Sequence, residues 1–173
     1  NSNKYFSFCF SVNFNHQIGF GLSNQKGSRA MIDLSTFKKA IEQVEEALSF
    51  CRSDMSRNDP RLAVHLRAAS IQAFEFTYEL AVKILKRFLE TLDPNPSAID
   101  EMTFNDLVRR GYEVGVLKAE LVEWKQFRKD RGTTSHAYDE RKALEVFEGI
   151  PTFLREAKFL CGEIRRRQEL QRD

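Results

Sequence analysis

The sequence predicts an all-α protein, an up-and-down bundle of four long helices and one short helix. Three observations support this fold class. Apolar residues recur with a helical period from Ser35 onward. No stretch after Met31 has the apolar and polar alternation of a convincing strand. The chain has 173 residues, which is enough for one domain with a real core.

Residues 1–30 differ in composition from the rest of the chain. They contain no acidic residue, and phenylalanines alternate with small or polar residues in a strand-like period. Ser and Asn interrupt the apolar run, so it matches neither a secretory signal nor a membrane span. We expect a leader that was added artificially or is translated from upstream, with Met31 as the natural start and residues 31–173 as the helical domain. The alternative is a genuine edge strand or hairpin.

The net charge of +2 comes from this first segment. Residues 1–30 carry three basic residues, which leaves 24 basic against 25 acidic residues from Met31 onward. A neutral body argues against broad, sequence-independent binding to duplex nucleic acid, which depends on many Lys and Arg contacts to phosphates. A small local site for an anion remains compatible with this charge.

The first helix is predicted from Ser35 to Cys51, with Asp33 or Ser35 as its cap. The stretch 52–58 breaks its pattern. Its apolar stripe consists of Phe37, Ala40, Ile41, Val44, Leu48 and Cys51.

The second helix is predicted from Pro60 to about Leu92 and is apolar on two faces. A helix of this kind must be covered on more than one side, either as the centre of a bundle or by a second subunit as well. We therefore expect a homodimer, with Phe74, Tyr78 or their neighbours near the interface. One face carries Ala69, Ala73, Phe76, Leu80, Ile84 and Phe88, and the other carries Ile71, Phe74, Tyr78, Leu85, Leu89 and Leu92.

The prolines in residues 93–97 end the second helix. Thr103 and Asp106 form a capping pair for a short helix that runs to about Arg110, and Gly111 and Gly115 bracket the turn after it.

Two further helices complete the predicted bundle. One begins near Leu117 and ends near Gly132. The last begins at about Asp139, and Pro151 should kink it.

The three cysteines, Cys9, Cys51 and Cys161, share no spacing typical of a disulfide framework or a metal site. This usage indicates a reducing compartment, and we expect a cytoplasmic protein. His16 and His65 also lack partners at metal-ligand spacing, so we expect neither a metal nor a cofactor. The chain has no Gly-rich phosphate loop, no paired-Asp nucleotidyl-transfer motif and no Ser nucleophile elbow.

The candidate site is the polar connection from Arg131 to Tyr138, between the last two long helices. Arg131 keeps its charge, while His136 can exchange a proton near neutral pH. The pair can therefore hold a phosphate and move a proton beside it, which is the minimum needed for metal-free cleavage of RNA. The alternative is structural: Arg131 ends one helix and His136 caps the next, because such a spacing also recurs by chance.

The stretch IQAFEFTYEL at 71–80, followed by Trp124 and by RGTTSHAYD at 131–139, resembles the nucleotidyltransferase substrate-binding proteins, a branch of the HEPN superfamily. The resemblance covers about residues 33–165 in the right order. It implies a small helical protein that dimerises, is encoded beside a minimal nucleotidyltransferase and forms a two-component complex with that enzyme.

In toxin–antitoxin versions of this family, the HEPN subunit is a metal-independent ribonuclease. The transferase silences it by adding AMP to a tyrosine two residues after the His. The resemblance therefore implies catalytic roles for Arg131 and His136 and modification at Tyr138. Other members were described as substrate-binding subunits, by analogy with kanamycin nucleotidyltransferase. In that alternative, Arg131 anchors the phosphate of a nucleotide or substrate and His136 donates a hydrogen bond. A helical interaction module without a ligand is the third possibility.

In the ribonuclease hypothesis, His136 takes the proton of a ribose 2′-hydroxyl, a task suited to its ordinary pKa of about 6.5. Arg131 stabilises the charge that builds on the phosphate oxygens. A dimer would bring two such pairs together and supply the second proton carrier. Glu75 and Glu79 on the second helix are candidates to orient these groups, or are ordinary solvated carboxylates, and we assign Ser135 a supporting role.

One residue departs from the family's pattern. Family members commonly have Asn, or another polar residue, directly after the Arg, where this chain has Gly132. Either the lost amide removes a contact to RNA or to His136, or Gly132 is a helix C-terminal residue in the left-handed conformation.

Overall fold

The fold is an all-α bundle, as the sequence predicts. The structure, a computed structural model, describes residues 31–133 and 140–172. These residues form helices and connecting turns and contain no strand. The helices are α1 (Ser35–Cys51), α2 (Asp54–Asn58), α3 (Pro60–Leu92), α4 (Pro96–Asp100), α5 (Phe104–Glu113), α6 (Leu121–Thr133) and α7 (Glu140–Glu169).

Helix α3 is the centre of the bundle, and it packs against each of the other six helices. Its buried face meets α1 and α7, and an aromatic cluster fills the space between α3, α6 and α7. In that cluster, the ring of Phe153 lies edge-on to the rings of Phe74 and Phe127, at centroid distances of 5.0 Å and 5.5 Å. Each large apolar side chain buried in this way contributes about 1.5–3 kcal/mol to folding. This packing fixes α6 against α3, which is the contact that matters for the candidate site.

The predicted boundaries of α1 and α3 are confirmed, but the cap position of α1 is Leu34 and not Asp33 or Ser35, although Asp33 Oδ1 accepts from the backbone N of Ser35 at 2.8 Å. The side chain of Asp59 accepts hydrogen bonds from the backbone of Arg61 and Leu62, and Pro60 occupies the first turn of α3. At the start of α5, Thr103 Oγ1 accepts from the backbone N of Asp106 at 3.3 Å, as the capping pair predicts.

The structure adds two single-turn helices where a break and a turn are predicted, α2 after α1 and α4 within the proline-containing stretch. It also corrects the end of α5. Gly111 does not begin a turn but lies inside α5, where a Cβ would approach Leu85 Cδ1 to 2.8 Å and Leu117 Cδ1 to 2.9 Å. A larger residue at position 111 would therefore force the Leu85 and Leu117 side chains to shift. The turn is made by Gly115, whose φ is +73°.

The prediction of a dimer interface near Phe74, Tyr78 or their neighbours stays a prediction, but neither of these two side chains can form the contact itself. Their exposed fractions are 2% and 5%, because both side chains fill the core of the single chain. Their neighbour Phe76 is 50% exposed. The outer face of α3 is therefore uncovered at Phe76, although its C-terminal part is buried.

Helix α7 continues through Pro151, and the predicted kink at that residue stays a prediction. Cys51 and Cys161 are half-buried free thiols, and Cys51 Sγ lies 3.3 Å from Ser70 Oγ. Cys9 and His16 lie outside the described residues. Within the described ranges, no helix is both long enough and apolar enough to cross a membrane.

Candidate functional site

Arg131 is held by two carboxylates of α3. It lies in the last turn of α6, where its Nε donates to Glu79 Oε1 at 2.6 Å and its Nη1 lies 3.8 Å from Glu75 Oε1. Glu75 and Glu79 are four residues apart and so occupy one face of α3. The Arg131 side chain is 37% exposed, so a ligand can reach it. The structure thus brings together three of the residues that the sequence singles out.

The other three predicted site residues, Ser135, His136 and Tyr138, lie outside the described residues, and their roles stay predictions. The two flanks of that segment are both held against α3. On one side Arg131 pairs with Glu79, and on the other Glu140, the first residue of α7, lies 3.8 Å from Arg67 of α3. Both flanks of the connection therefore lie beside α3 and carry an ion pair with it.

Tyr78 lies beneath this arrangement as a neutral phenol. The pKa of Tyr78 is raised to about 12, chiefly by burial; the positive charges of Arg128 and Arg131 oppose the rise, and the negative charge of Glu79 adds to it. The ring of Tyr78 also lies 6.3 Å from the ring of Trp124. Tyr78 thus connects the aromatic core to the two arginines on the surface.

Arg128 is a residue whose role the sequence analysis missed. Its guanidinium carbon lies 4.7 Å from the centre of the Phe104 ring, at the start of α5. Arg128 and Arg131 are three residues apart on α6, so their side chains project from neighbouring positions of one helix face. The spacing of two arginines is visible in the sequence, but the aromatic ring beneath Arg128 comes from a different helix.

Asp130 is a second residue that the sequence analysis missed. It is buried between α6 and α7 and accepts a hydrogen bond from Gln126 Nε2 at 2.7 Å. Burial raises the pKa of this carboxyl. Its Oδ2 lies 3.0 Å from the position that a Cβ on Gly149 would occupy, so α7 has a glycine where Asp130 approaches it. An acidic residue at a helix C-terminus opposes the helix dipole, and this mismatch is the signal that sequence reasoning could have used.

Glu156 of α7 is a third residue that the sequence analysis missed. It is a buried carboxylate that accepts hydrogen bonds from the backbone N of Lys118 at 3.1 Å, the backbone N of Ala119 at 3.0 Å and Trp124 Nε1 at 3.3 Å. Burial raises the pKa of this carboxyl, and the three hydrogen bonds partly offset the rise. These bonds hold residues just before α6 in a non-helical conformation. They explain why α6 begins at Leu121 and not at the predicted Leu117.

Gly132 lies within α6, and its φ is not positive, since Gly115 is the glycine of the described chain with that conformation. The left-handed explanation for Gly132 is therefore wrong. No atom of the described residues lies within 4 Å of the position of a Cβ on Gly132, so a larger residue fits there. Packing against the described residues therefore does not explain why this chain has Gly132 where family members commonly have a polar residue.

In the part of the chain that the structure describes, no group of three or more His, Cys, Asp or Glu side chains is arranged to hold a metal ion. The chemistry available at the described site is that of a guanidinium fixed by carboxylates. Such a group binds phosphate in a defined orientation.

Comparisons with known proteins give consistent matches. Residues 32–166 match the family model described as nucleotidyltransferase substrate binding protein like. A Haemophilus influenzae protein named probable ribonuclease HepT is 38% identical over 104 residues, which cover 60% of this chain and 70% of that protein.

Two solved structures share the fold. One, from Haemophilus influenzae, was described as revealing the fold of a substrate-binding domain of a nucleotidyltransferase. It matches with a TM-score of 0.72 at 30% identity, over 77% of this chain and 99% of its own. A crystal structure of a protein from Thermus thermophilus matches with a TM-score of 0.59 at 26% identity, over 75% of this chain and 98% of its own.

Proposed function

The chain belongs to the nucleotidyltransferase substrate-binding family of the HEPN superfamily, and on this basis we propose that it is a metal-independent endoribonuclease. A partner nucleotidyltransferase silences it by adding AMP to Tyr138. The similarity to a protein named probable ribonuclease supports this assignment over pure substrate binding.

The observation that carries the proposal is the orientation of Arg131. The bond from its Nε to Glu79 fixes the plane of the guanidinium, and Glu75 approaches the Nη1 side. An arginine held in one plane can present paired N–H donors to two phosphate oxygens, which a lysine cannot do. The fixed guanidinium precedes His136 by five positions along the chain.

The proposed reaction removes one proton from the ribose 2′-hydroxyl and delivers one proton to the leaving 5′-oxygen. His136 removes the proton of a ribose 2′-hydroxyl, and the 2′-oxygen attacks the adjacent phosphorus. The bond from phosphorus to the 5′-oxygen breaks, and that oxygen takes a proton from a second imidazolium. Arg131 stabilises the negative charge on the phosphoryl oxygens during the step. The products carry a 2′,3′-cyclic phosphate and a 5′-hydroxyl.

The second imidazolium is supplied by a second copy of the chain. Phe50 of α1 and Phe76 of α3 are 48% and 50% exposed, and they line a shallow groove of about 400 Å³. We assign this face to the homodimer interface, because a two-fold contact would cover the aromatic rings of both copies. Phe76 lies three residues before Glu79 on α3, so the proposed interface adjoins the ion pair of Arg131 and Glu79.

A second candidate function is a nucleotide-binding or substrate-binding subunit for the transferase. It is favoured by the solved relative described as a substrate-binding domain of a nucleotidyltransferase. In this case Arg131 anchors a phosphate of the ligand and no bond of RNA is cleaved.

Cleavage of a labelled RNA in the presence of a chelator separates the two functions. We expect the wild-type chain to cleave and to leave cyclic phosphate ends. Arg131→Ala and His136→Ala should each abolish cleavage with an unchanged helical signal. Lys129→Ala is the matched control, since it removes an exposed charge two residues earlier on α6. Absence of cleavage by the unmodified dimer, together with loss of ATP binding in Arg131→Ala, would establish the substrate-binding function instead.

A further inference from the structure

The guanidinium of Arg128 lies against an aromatic ring and has no carboxylate partner among the described residues. Its carbon is 4.7 Å from the centre of the Phe104 ring, and its side chain is exposed. Some exposed arginines of the described chain pair with acids, such as Arg109 with Asp106 at 3.1 Å, while Arg87, like Arg128, has no such pair among the described residues, so the ring contact is what distinguishes Arg128. Arg128 is therefore an exposed cation whose orientation is set by a ring and whose charge no described acid neutralises.

The Phe104 ring is partly buried against the hydrophobic core, and the backbone that carries it is ordered by a helix cap. Phe104 is the first residue of α5, directly after the cap Thr103, whose side chain donates to Asp106 Oδ2 at 2.6 Å. The guanidinium lies over this ring, and the Arg128 side chain as a whole is exposed, so part of the guanidinium is accessible to a ligand. A planar cation supported on one face can accept a second flat group on the other face.

Arg128 belongs to the same surface as Arg131. The two residues are three apart on α6, with Cβ atoms about 5–6 Å from each other. Both also lie close enough to the phenol of Tyr78 to influence its ionisation. A ligand whose phosphate reaches Arg131 therefore brings its neighbouring groups to Arg128.

We propose that Arg128 and Phe104 form a base-stacking subsite for single-stranded RNA, in which an unpaired base lies on the open face of the Arg128 guanidinium next to the phosphate bound by Arg131. Arginine planes and aromatic rings are the usual platforms for unpaired bases. The neutral body of the protein also fits one discrete contact better than a broad electrostatic surface. This inference rests on the proposed ribonuclease function and names its substrate as single-stranded.

The test compares two probes of equal charge, a labelled 2′-O-methyl oligoadenylate and an abasic 2′-O-methyl strand of the same length. Neither can be cleaved, because both lack the free 2′-hydroxyl that the reaction needs. The full chain and its Arg128→Lys variant carry the same charge and differ in the planar face. We expect Arg128→Lys to bind oligoadenylate about tenfold more weakly than wild type. On the abasic strand the two proteins should bind equally.

Two further variants complete the comparison. Phe104→Leu keeps an apolar residue under Arg128 but removes the ring, and it should reproduce the base-dependent loss. Lys129→Ala is the control, because its side chain projects about 100° away around α6. It should not produce a base-dependent loss. Equal binding of oligoadenylate by wild type and Arg128→Lys would overturn the proposal, and so would a loss of the same size on the abasic strand.

The outcomes separate this proposal from the proposed function. If Arg131→Ala and His136→Ala abolish cleavage while Arg128→Lys binds oligoadenylate normally, the ribonuclease stands and the stacking subsite is rejected. If no RNA is cleaved but the base-dependent loss is measured, the subsite stands and the ribonuclease is rejected. A loss seen with ATP and not with the strand would also overturn the subsite, because the ligand would then be a mononucleotide.

Discussion

The Nε atom of Arg131 donates to Oε1 of Glu79 at 2.6 Å, across the contact between α6 and α3. The side chains of Arg131 and Glu79 are 37% and 58% exposed, so solvent screens the pair and its net contribution to stability is at most about 1 kcal/mol. The main effect of this bond is to orient the Arg131 guanidinium, not to stabilise the fold.

Glu79→Gln should therefore separate activity from stability. The free energy of unfolding should change by less than about 1 kcal/mol, while the rate of RNA cleavage should fall by about ten- to hundredfold because the guanidinium is less well oriented. Glu45→Gln is a matched control, since Glu45 Oε1 accepts from Lys158 Nζ at the same 2.6 Å, away from the site. An equal loss of activity in the two variants would contradict a positioning role for Glu79.

Gly132→Asn tests the departure from the family's pattern. No described residue lies within 4 Å of the position of a Cβ at 132, and the position lies in a helix, where Asn is slightly more favourable than Gly. We expect the variant to melt at the same or a slightly higher temperature and to cleave RNA faster than wild type. Unchanged kinetics with an intact fold would show that the missing amide contributes nothing to catalysis.

Tyr138→Phe should keep RNA cleavage and escape modification by the partner transferase, because it removes the hydroxyl that accepts AMP. The measurement is the intact mass of each protein after incubation with the partner and ATP. Wild type should gain the mass of one AMP and lose activity, since the adduct adds bulk and negative charge beside the phosphate site. A mass gain on Tyr138→Phe would show that the transferase has another target.

Phe76→Ser should weaken the homodimer, because it removes an exposed ring from the proposed interface without touching the core. The expected result in sedimentation is a shift toward monomer at micromolar concentration, with loss of cleavage at the composite site. Val122→Ser is the control, since Val122 is 70% exposed on α6 and lies outside that face. A dimer that survives Phe76→Ser unchanged would place the interface elsewhere.

Glu156→Gln tests the buried acceptor at the start of α6. An amide can accept only on its oxygen, so one backbone N–H group loses its partner and stability should fall by about 1–3 kcal/mol at pH 7. The pKa of Glu156 is raised above its usual 4.5, so its contribution to stability is greatest below pH 4.5 and is lost as the pH rises through the folded-state value.

The difference in unfolding free energy between wild type and Glu156→Gln should therefore widen as the pH is lowered from 7 toward 4.5. Urea denaturation of both proteins at several pH values measures this difference. The titration of all other ionisable groups is common to both proteins and cancels in the difference. A difference that narrows toward low pH would mean that the hydrogen bonds outweigh burial at Glu156.

Local signals predicted much of this fold. The stripe of α1 and the cap and proline of α3 define those helices within a few residues, so their bounds follow from sequence. The start of α6 does not, because Lys118 and Ala119 donate to a carboxylate 38 and 37 residues further along the chain. Periodicity also placed Phe74 and Phe76 on apolar faces of α3 without showing which face the other helices cover.

The candidate site was predictable to a similar extent. Glu75, Glu79 and Arg131 were singled out by type and by resemblance, and the fold brings them together. The Arg128 and Phe104 pair was not, because it depends on how α5 crosses α6. A single contact between two side chains on different helices produces no recurring pattern in the sequence of either helix.

Helix α6 is attached near each end by a carboxylate from a different helix, Glu156 of α7 at its start and Glu79 of α3 at its end. Its 13 residues span about 20 Å. Between these two contacts the buried rings of Trp124 and Phe127 hold the helix in the core, so a change at Glu156 would reach Arg131 only by altering how α6 packs. A substitution at Glu156 could thus change the orientation of Arg131 at the opposite end of α6 while the helix itself stays intact.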